Sequence, residues 1–217
     1  MILHAVFKVN SWLMRFKPVA DWKGNIAVVV ASGPSAKLES LNQYRYHAKF
    51  IVVNDSWKLA PWADILFACD EAWWQVNNGC PEFKGRRFTA SPNCMKRYGI
   101  DLFCSTGTNS GLRAIYLAER LGANPICMVG FDMHPKNGIH WHDARKNLRT
   151  PGAAEMMTWR KETEWAAEIF WKKGVQVINC TPGSALTKYP YIPLGKVICY
   201  AAENQSLARQ QRLQSTA

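Results

Sequence analysis

The sequence predicts an α/β fold: a single Rossmann-like domain with a mainly parallel sheet flanked by helices. Short apolar runs rich in β-branched residues, such as residues 26–30 (IAVVV), recur along the chain and are too short to be helices. Segments with helical spacing of apolar residues separate several of these runs, as in a parallel sheet. One complete repeat of a small-residue turn, a helix and a buried strand lies at residues 105–133.

The composition is that of one globular domain. With 217 residues, 48% of them hydrophobic, we expect a single domain over residues 1–217, with its core at about 26–194 and a polar tail at 201–217. No apolar run reaches the roughly 18 residues of a membrane helix, so no membrane partner is expected. Seven cysteines without a repeated spacing indicate buried thiols of a cytoplasmic protein rather than disulfides.

Residues 26–30 form the first predicted strand, bounded on both sides by turn residues. The turn after this strand exposes backbone N–H groups at the carboxyl edge of the sheet, where open α/β folds bind their ligands. We expect a short helix over residues 36–44 after the turn. The turn supplies three candidate ligand-binding residues: Gly33, Pro34 and Ser35.

The next two predicted strands, residues 49–53 and 63–68, each lead into a carboxylate. Either carboxylate alone would be interpreted as a helix cap or a turn residue. Because both strand ends meet at the edge that holds the first turn, we interpret them together as part of a binding site. The candidates are Asn54, Asp55 and Asp70.

The segment at residues 75–99 is polar and rich in glycine and proline, so we expect it to be irregular, with minor strands at 88–90 and 100–104. The turn that follows carries a hydroxyl or an amide at five of its seven positions and leads into a helix at residues 112–121. Capping this helix needs only one such side chain, whereas a helix N-terminus with several attracts phosphate. We therefore expect an anion, phosphate above all, to be bound by Thr106, Gly107, Thr108, Asn109, Ser110 and Gly111.

The loop after the strand at residues 125–130 contains three of the five histidines, so we expect acid–base chemistry there. The candidate bases are His140 and His142, with Asp143 or Asp132 as the carboxylate that orients the imidazole. Two histidines without a third ligand do not predict a metal site. The competing interpretation is a turn without chemistry, either solvent-exposed or binding a metal only adventitiously.

A long helix is predicted over residues 153–173 and a last buried strand over residues 175–178. The polar loop after this strand adds Asn179 and Ser184 to the candidate ligand-binding residues. We expect an edge strand over residues 194–200, followed by a helical or frayed tail.

The formal net charge of +11 is the unusual feature of the composition. Lysines and arginines that cluster on one surface bind nucleic acid through its phosphates, whereas dispersed charges only keep a protein in solution. Two basic segments would give the site a basic rim for DNA if both border the same sheet edge. Trp73 and Trp74 could then stack an extruded base. The first segment comprises Lys84, Arg86, Arg87, Lys96 and Arg97, and the second comprises Arg145, Lys146 and Arg149.

Six segments occur in an order that resembles a group of phage and prophage proteins, which in turn resembles the bacterial sialyltransferases of glycosyltransferase family 42. A more distant likeness is to the archaeal 6-hydroxymethylpterin diphosphokinase group. The segments extend over residues 26–194 and are VVVASGPSAKL, VVNDSW followed by APWADILFACD, STGTNSGLRAIYLAERLGA, VGFDM, HWHD and INCTPGSAL.

The resemblance implies roles for these segments. In the similar transferases the Gly-Pro-Ser turn lies against the nucleotide donor, the residue matching Asn54 contacts donor or acceptor, and the turn matching residues 108–111 holds the phosphate. A histidine in the loop matching His140 and His142 is the general base, and no metal is used. The paired tyrosines that hold the leaving phosphate have no match in the 134–151 loop. A diphosphokinase with Mg²⁺ on Asp55 and Asp70 therefore stays open as an alternative.

Residues and resemblance together predict a metal-independent, nucleotide-sugar-dependent glycosyltransferase of the cytoplasm, without a firm cofactor, whose partner is a nucleotide or nucleotide sugar. A phage origin would make DNA with a hydroxylated base the acceptor and the host cytoplasm the location. Two alternatives remain open. One is Mg²⁺-dependent transfer of a pyrophosphoryl or nucleotidyl group, and the other is a non-catalytic protein that sequesters a nucleotide.

Overall fold

The protein is a three-layer α/β/α structure on one sheet of seven parallel strands, in a computed structural model that describes residues 21–144 and 147–215. The strands are β1 (Ala27–Val30), β2 (Lys49–Val53), β3 (Ile65–Ala68), β4 (Arg86–Thr89), β5 (Asp101–Leu102), β6 (Ile126–Val129) and β7 (Val177–Asn179). The α-helices are α1 (Glu71–Val76), α2 (Pro92–Tyr98), α3 (Ser110–Arg120), α4 (Ala153–Lys172) and α5 (Leu194–Ser215). The predicted α/β class with a Rossmann-like parallel sheet is confirmed.

The strand order β5-β4-β3-β2-β1-β6-β7 reverses direction at β1. Strands β2 to β5 are added on one side of β1, and α3 then carries the chain back to β6 on the other side. The registers of β1 with β2 and β6 place their carboxyl ends side by side. Ligands of open α/β sheets bind in the crevice at such a reversal.

The sheet is covered on both faces, which explains why its central strands are apolar throughout. One hydrophobic core joins alternate strand residues to α3 and α4, and the other joins the intervening residues to α1, α2 and α5. All residues of β1 and β6 are buried. Among the described residues, no helix combines the length and the apolar character needed to cross a membrane.

Three predicted elements differ from the structure. Residues 194–200 begin α5 instead of forming an edge strand, because Leu194, Val197 and Ile198 pack at helical spacing on the second core. The free edge of β7 is already occupied by the residues just before α5, because the backbone oxygen of Asn179 accepts from the N–H group of Ile192. In place of the helix over 36–44 there are two short 3-10 helices, Pro34–Leu38 and Leu41–Tyr44, separated by extended backbone at Glu39. The segment expected to be irregular contains β4 and α2.

Candidate functional site

A cavity of about 380 Å³ opens at the carboxyl edge of the sheet, at the reversal between β1 and β6. This volume lies within the range of small-molecule sites. The predicted residues that line it are Gly33, Asn54, Asp55, Asp70, Thr108, Asn109, Ser110, Gly111, Asp132, His140 and His142. Seven other predicted residues lie outside its wall: Pro34, Ser35, Thr106, Gly107, Asp143, Asn179 and Ser184.

The turn after β1 is pressed against the turn after β6. A Cβ atom on Gly33 would lie 2.1 Å from Asp132 Oδ2 and 2.5 Å from the Gly130 carbonyl oxygen, so only glycine fits. Ser35 donates to the Asp132 carboxylate from its hydroxyl at 2.8 Å and from its backbone N–H at 3.3 Å. Asp132, which is 4% exposed, therefore ties the two turns together. The prediction that Asp132 orients a histidine is wrong, and Ser35 is its partner rather than part of the cavity wall.

Helix α3 begins at the cavity with a capped N-terminus. Asn109 Oδ1 accepts from the Leu112 N–H at 2.8 Å, and Ser110 Oγ accepts from the Cys69 N–H at 3.0 Å. The Nδ2 group of Asn109 is buried and finds no hydrogen-bond partner in the described part of the chain. Because Asn109 is 7% exposed and lines the cavity, it caps the helix and also leaves one donor without a partner at the cavity wall.

A carboxylate already occupies the donors of Thr108. Glu162 Oε2, on α4, accepts from the Thr108 backbone N–H at 2.9 Å and from its hydroxyl at 2.7 Å. Thr106 is exposed, and Gly107 bends the chain with a φ of +96°. The predicted phosphate site therefore narrows to the start of α3, because Thr106 and Gly107 lie off the cavity wall.

Close packing explains why residue 111 is a glycine. A Cβ atom there would lie 3.0 Å from the Phe131 ring and 3.2 Å from Asn109 Oδ1. Its small size allows α3 to approach Phe131, in the turn after β6.

His140 and His142 stack on each other in the cavity wall, with ring centroids 5.1 Å apart and planes inclined by 12°. Trp141, between them, fixes the loop to the strand ends. Its backbone N–H donates to the Ser32 carbonyl at 3.0 Å, and its Nε1 donates to Ser56 Oγ at 3.1 Å. The alternative of a solvent-exposed turn is thus wrong, since the His142 side chain is only 20% exposed.

Asp55 is the carboxylate that faces His142. Its Oδ2 lies 3.6 Å from His142 Nε2 and accepts from Trp73 Nε1 at 3.3 Å, while Lys58 Nζ lies 3.2 Å from Oδ1. His142 Nδ1 lies 2.9 Å from the backbone oxygen of Asp143. Both ring nitrogens of His142 therefore face oxygen atoms, and the protonated ring can donate to both. Asp143 contributes its backbone carbonyl, so its predicted role as an orienting carboxylate is wrong.

The surroundings of His140 favour its neutral form. Burial lowers the pKa of His140, and the positive charge of His142 lowers this pKa further. The Nδ1 atom of His140 is buried without a hydrogen-bond partner among residues 21–144 and 147–215. A neutral imidazole beside a carboxylate-paired one suits His140 to accept a proton.

Asp55 and Asp70, the two carboxylates of the Mg²⁺ alternative, both line the cavity but differ in their surroundings. Asp55 is already engaged by Lys58 and Trp73. Burial raises the pKa of Asp70, and the charge of Glu155 raises it further. Within the described ranges, no group of three or more His, Cys, Asp or Glu side chains is arranged to hold a metal ion.

Asn179 and Ser184 support the turn after β6 from behind. Asn179 Oδ1 accepts from the Thr181 N–H at 3.0 Å, and Thr181 Oγ1 in turn accepts from the Phe131 N–H at 3.0 Å. Ser184 Oγ donates to the Phe131 carbonyl at 2.6 Å. Both residues were predicted to contact the ligand, but they lie outside the cavity wall, and their side chains hold the backbone of that wall instead.

The site is built by loops whose sequences carry the resemblance to the family 42 sialyltransferases. No family model matches the chain, and no curated protein matches it. The resemblance stays a prediction, as do the donor, the acceptor and the phage origin that it implies.

The first segment of the predicted basic rim lies away from this cavity, whereas Arg149, which belongs to the second segment, lines it. Three residues of the first segment lie at the amino edge of the sheet, because they precede or begin β4: Lys84, Arg86 and Arg87. Arg86 pairs with Asp101 at 2.7 Å, and Arg87 donates to the Gly79 carbonyl at 2.8 Å. Arg145 and Lys146 lie outside the described residues.

Two tryptophans line the cavity, but only one of them, Trp73, belongs to the predicted pair Trp73 and Trp74. Trp74 is fully buried and donates to the Ala68 carbonyl at 3.0 Å, so it cannot stack a base. Trp73 lines the cavity and binds Asp55. Trp159 on α4 lines it as well and is partly exposed. The sequence missed Trp159 because its position on the apolar face of a helix is equally typical of a core residue.

Proposed function

We propose that the protein transfers a glycosyl group from a nucleotide sugar, bound in the cavity at the carboxyl edge, to an acceptor hydroxyl, without a metal ion. One observation carries this proposal. A neutral histidine, His140, lines the same cavity as the N-terminus of α3, where the amide of Asn109 has a buried donor without a described partner. One wall is thus suited to a proton and the other to a leaving phosphate.

The N-terminus of α3 is the support for the donor side. An α-helix of eleven residues concentrates partial positive charge at its N-terminus, and the first two residues of α3, Ser110 and Gly111, line the cavity. Asn109 Nδ2 adds a side-chain donor at the same place. These groups favour the negative charge that develops on the nucleotide phosphate as its bond to the sugar breaks.

His140 is the proposed general base. The acceptor oxygen forms the bond to the anomeric carbon while its proton passes to His140, and the nucleotide leaves with the electron pair of the broken bond. His142 shares the wall and faces Asp55, and its interaction with His140 lowers the pKa of His140, which favours the neutral form of that base. Trp159, partly exposed at the cavity, offers a flat apolar face to a sugar or base.

We also propose a cytoplasmic location, where nucleotide sugars are present and thiols stay reduced. Cys69, Cys80, Cys94, Cys104, Cys127, Cys180 and Cys199 are all free. The acceptor is a molecule whose hydroxyl reaches His140. A phage origin and a DNA acceptor remain part of the proposal, without support from the basic residues at the amino edge.

The test is donor hydrolysis or transfer across a panel of nucleotide sugars, in the presence of EDTA. We expect His140→Ala to lower kcat by about 100-fold or more, whereas His47→Ala, an exposed histidine away from the cavity, leaves kcat unchanged. Full activity of His140→Ala would overturn the assignment of the base. Binding without turnover would favour the sequestering protein, and loss of activity in EDTA would favour the Mg²⁺-dependent alternative.

A further inference from the structure

A second cavity, of about 470 Å³, lies at the amino edge of the sheet, opposite to the candidate site. The loop before β2, the residues before β1 and β3, and α5 form its walls. The proposed transfer uses none of its side chains. Those with charge or an aromatic ring are Arg45, Tyr46, His47, Lys49, Trp62 and Asp64.

Arg45 lies against two aromatic rings. Its guanidinium carbon is 5.3 Å from the ring centroid of Tyr46 and 5.5 Å from that of Trp62. Trp62 is itself held by an edge contact with Phe50, with centroids 4.8 Å apart. Contacts of this kind restrict the guanidinium without using its N–H donors. No carboxylate in the described part of the chain is paired with Arg45, so these donors remain open to an anion.

Lys49 adds a second cation and Tyr46 an open ring face. Lys49 Nζ lies 3.3 Å from Asp64 Oδ1, and the other oxygen of this carboxylate accepts from the Phe50 N–H at 2.8 Å. Asp64 therefore neutralises only one of the two cations. Tyr46 is 86% exposed, which is unusual for an aromatic side chain without a partner on its outer face.

We infer that this cavity binds a nucleotide unit, either as a free nucleotide or as part of a nucleic-acid strand. Arg45 receives the phosphate through paired N–H groups, with Lys49 as the second cation. The outer face of Tyr46 stacks the base.

Heteronuclear NMR on the isotope-labelled full chain tests this inference. The indole N–H resonances of Trp62 and Trp159 are assigned with Trp→Phe variants, and the protein is titrated with UMP and with a thymidine oligonucleotide at about 50 mM salt. We expect the Trp62 resonance to shift. Arg45→Ala should weaken this binding about tenfold or more. Arg160→Ala removes the same charge from the exposed surface of α4 and should leave it unchanged.

The two sources of the ligand give different results. A Trp62 shift with UMP identifies a free nucleotide, whereas a shift with the oligonucleotide alone, weakening steeply with salt, identifies a strand. No shift with either ligand overturns the inference, and so do equal losses in Arg45→Ala and Arg160→Ala. Trp159 lines the candidate active site, so its resonance reports on the proposed function separately.

Discussion

Glu162 on α4 binds Thr108, in the turn before α3, through both the backbone N–H and the hydroxyl, at 2.9 and 2.7 Å. The two residues are 54 positions apart, so the contact depends on how α4 packs over the cavity. A carboxylate of the chain itself thus holds donors that the sequence assigns to a phosphate. Like charges repel, so this carboxylate opposes the binding of an anionic donor nearby.

We expect Glu162→Gln to tighten the binding of a pyrimidine nucleotide by about threefold to fivefold. The amide oxygen of glutamine still accepts from Thr108, but the repulsion of roughly 1 kcal/mol between two charges near the surface is lost. Isothermal titration calorimetry measures the change. Glu168→Gln is the matched control, because Glu168 lies on the same helix and pairs with Lys172. Weaker binding in Glu162→Gln would mean that the carboxylate orders the turn for the ligand.

The activity should stay constant on acidification down to pH about 6.5, the ordinary histidine value, and fall only below it. The reason is that burial and the charge of His142 lower the pKa of His140, so the base form persists. His142→Gln removes the second cause and should move the acidic limb of the kcat profile to higher pH. An unchanged limb would show that His140 is not the titrating base.

The same shift has a consequence for stability. Because the pKa of His140 is lower in the folded chain, the unfolded chain binds more protons between the two values. The contribution of His140 to stability is therefore fully present above pH about 6.5 and is lost as the pH falls through that value towards the folded pKa. As the pH falls across this range, the Tm of the wild type should fall relative to that of His140→Phe, which has no titrating ring, and a constant difference in Tm would contradict this linkage.

Asp55→Asn should lower kcat by about 10- to 100-fold, the loss expected for a hydrogen bond to a charged group. The variant keeps the shape of the side chain but removes the charge that faces His142. Asp143→Asn is the control, because only the backbone of Asp143 contacts His142. The kcat profile against pH separates this role from a structural one, since a merely structural loss would leave the acidic limb in place.

Gly33→Ala should destabilise the fold by about 1–3 kcal/mol, the usual result of overpacking. Its Cβ atom would collide with Asp132 Oδ2 and with the Gly130 carbonyl, which is backbone and cannot easily move. A fall in Tm of roughly 3–10 °C is expected for a chain of this size. Gly152→Ala meets nothing within 4 Å and should leave Tm nearly unchanged. Equal Tm values for the two variants would contradict the close approach of the turns.

Local patterns predicted the strands that form the centre of the sheet. The runs at β1, β2 and β6 are apolar because both faces are covered, and turn residues mark their ends. The prediction for residues 194–200 was wrong because Leu194, Val197 and Ile198 are compatible both with a short apolar strand and with the apolar face of a helix. Only the second core, on which they pack, separates the two interpretations.

The sequence by itself determined the fold class and the edge of the sheet at which Gly33, Asp55, His140 and His142 converge, because parallel strands bring all their carboxyl ends to one side. Tertiary structure alone decided which partners these residues have. Asp132 binds Ser35 across 97 positions, and Asp55 rather than Asp143 faces His142. The arginines of β4 lie at the opposite edge for the same reason. The local spacing of apolar residues locates each strand and the residues at its end. A contact between distant residues depends on how whole elements pack, and no local pattern contains that information.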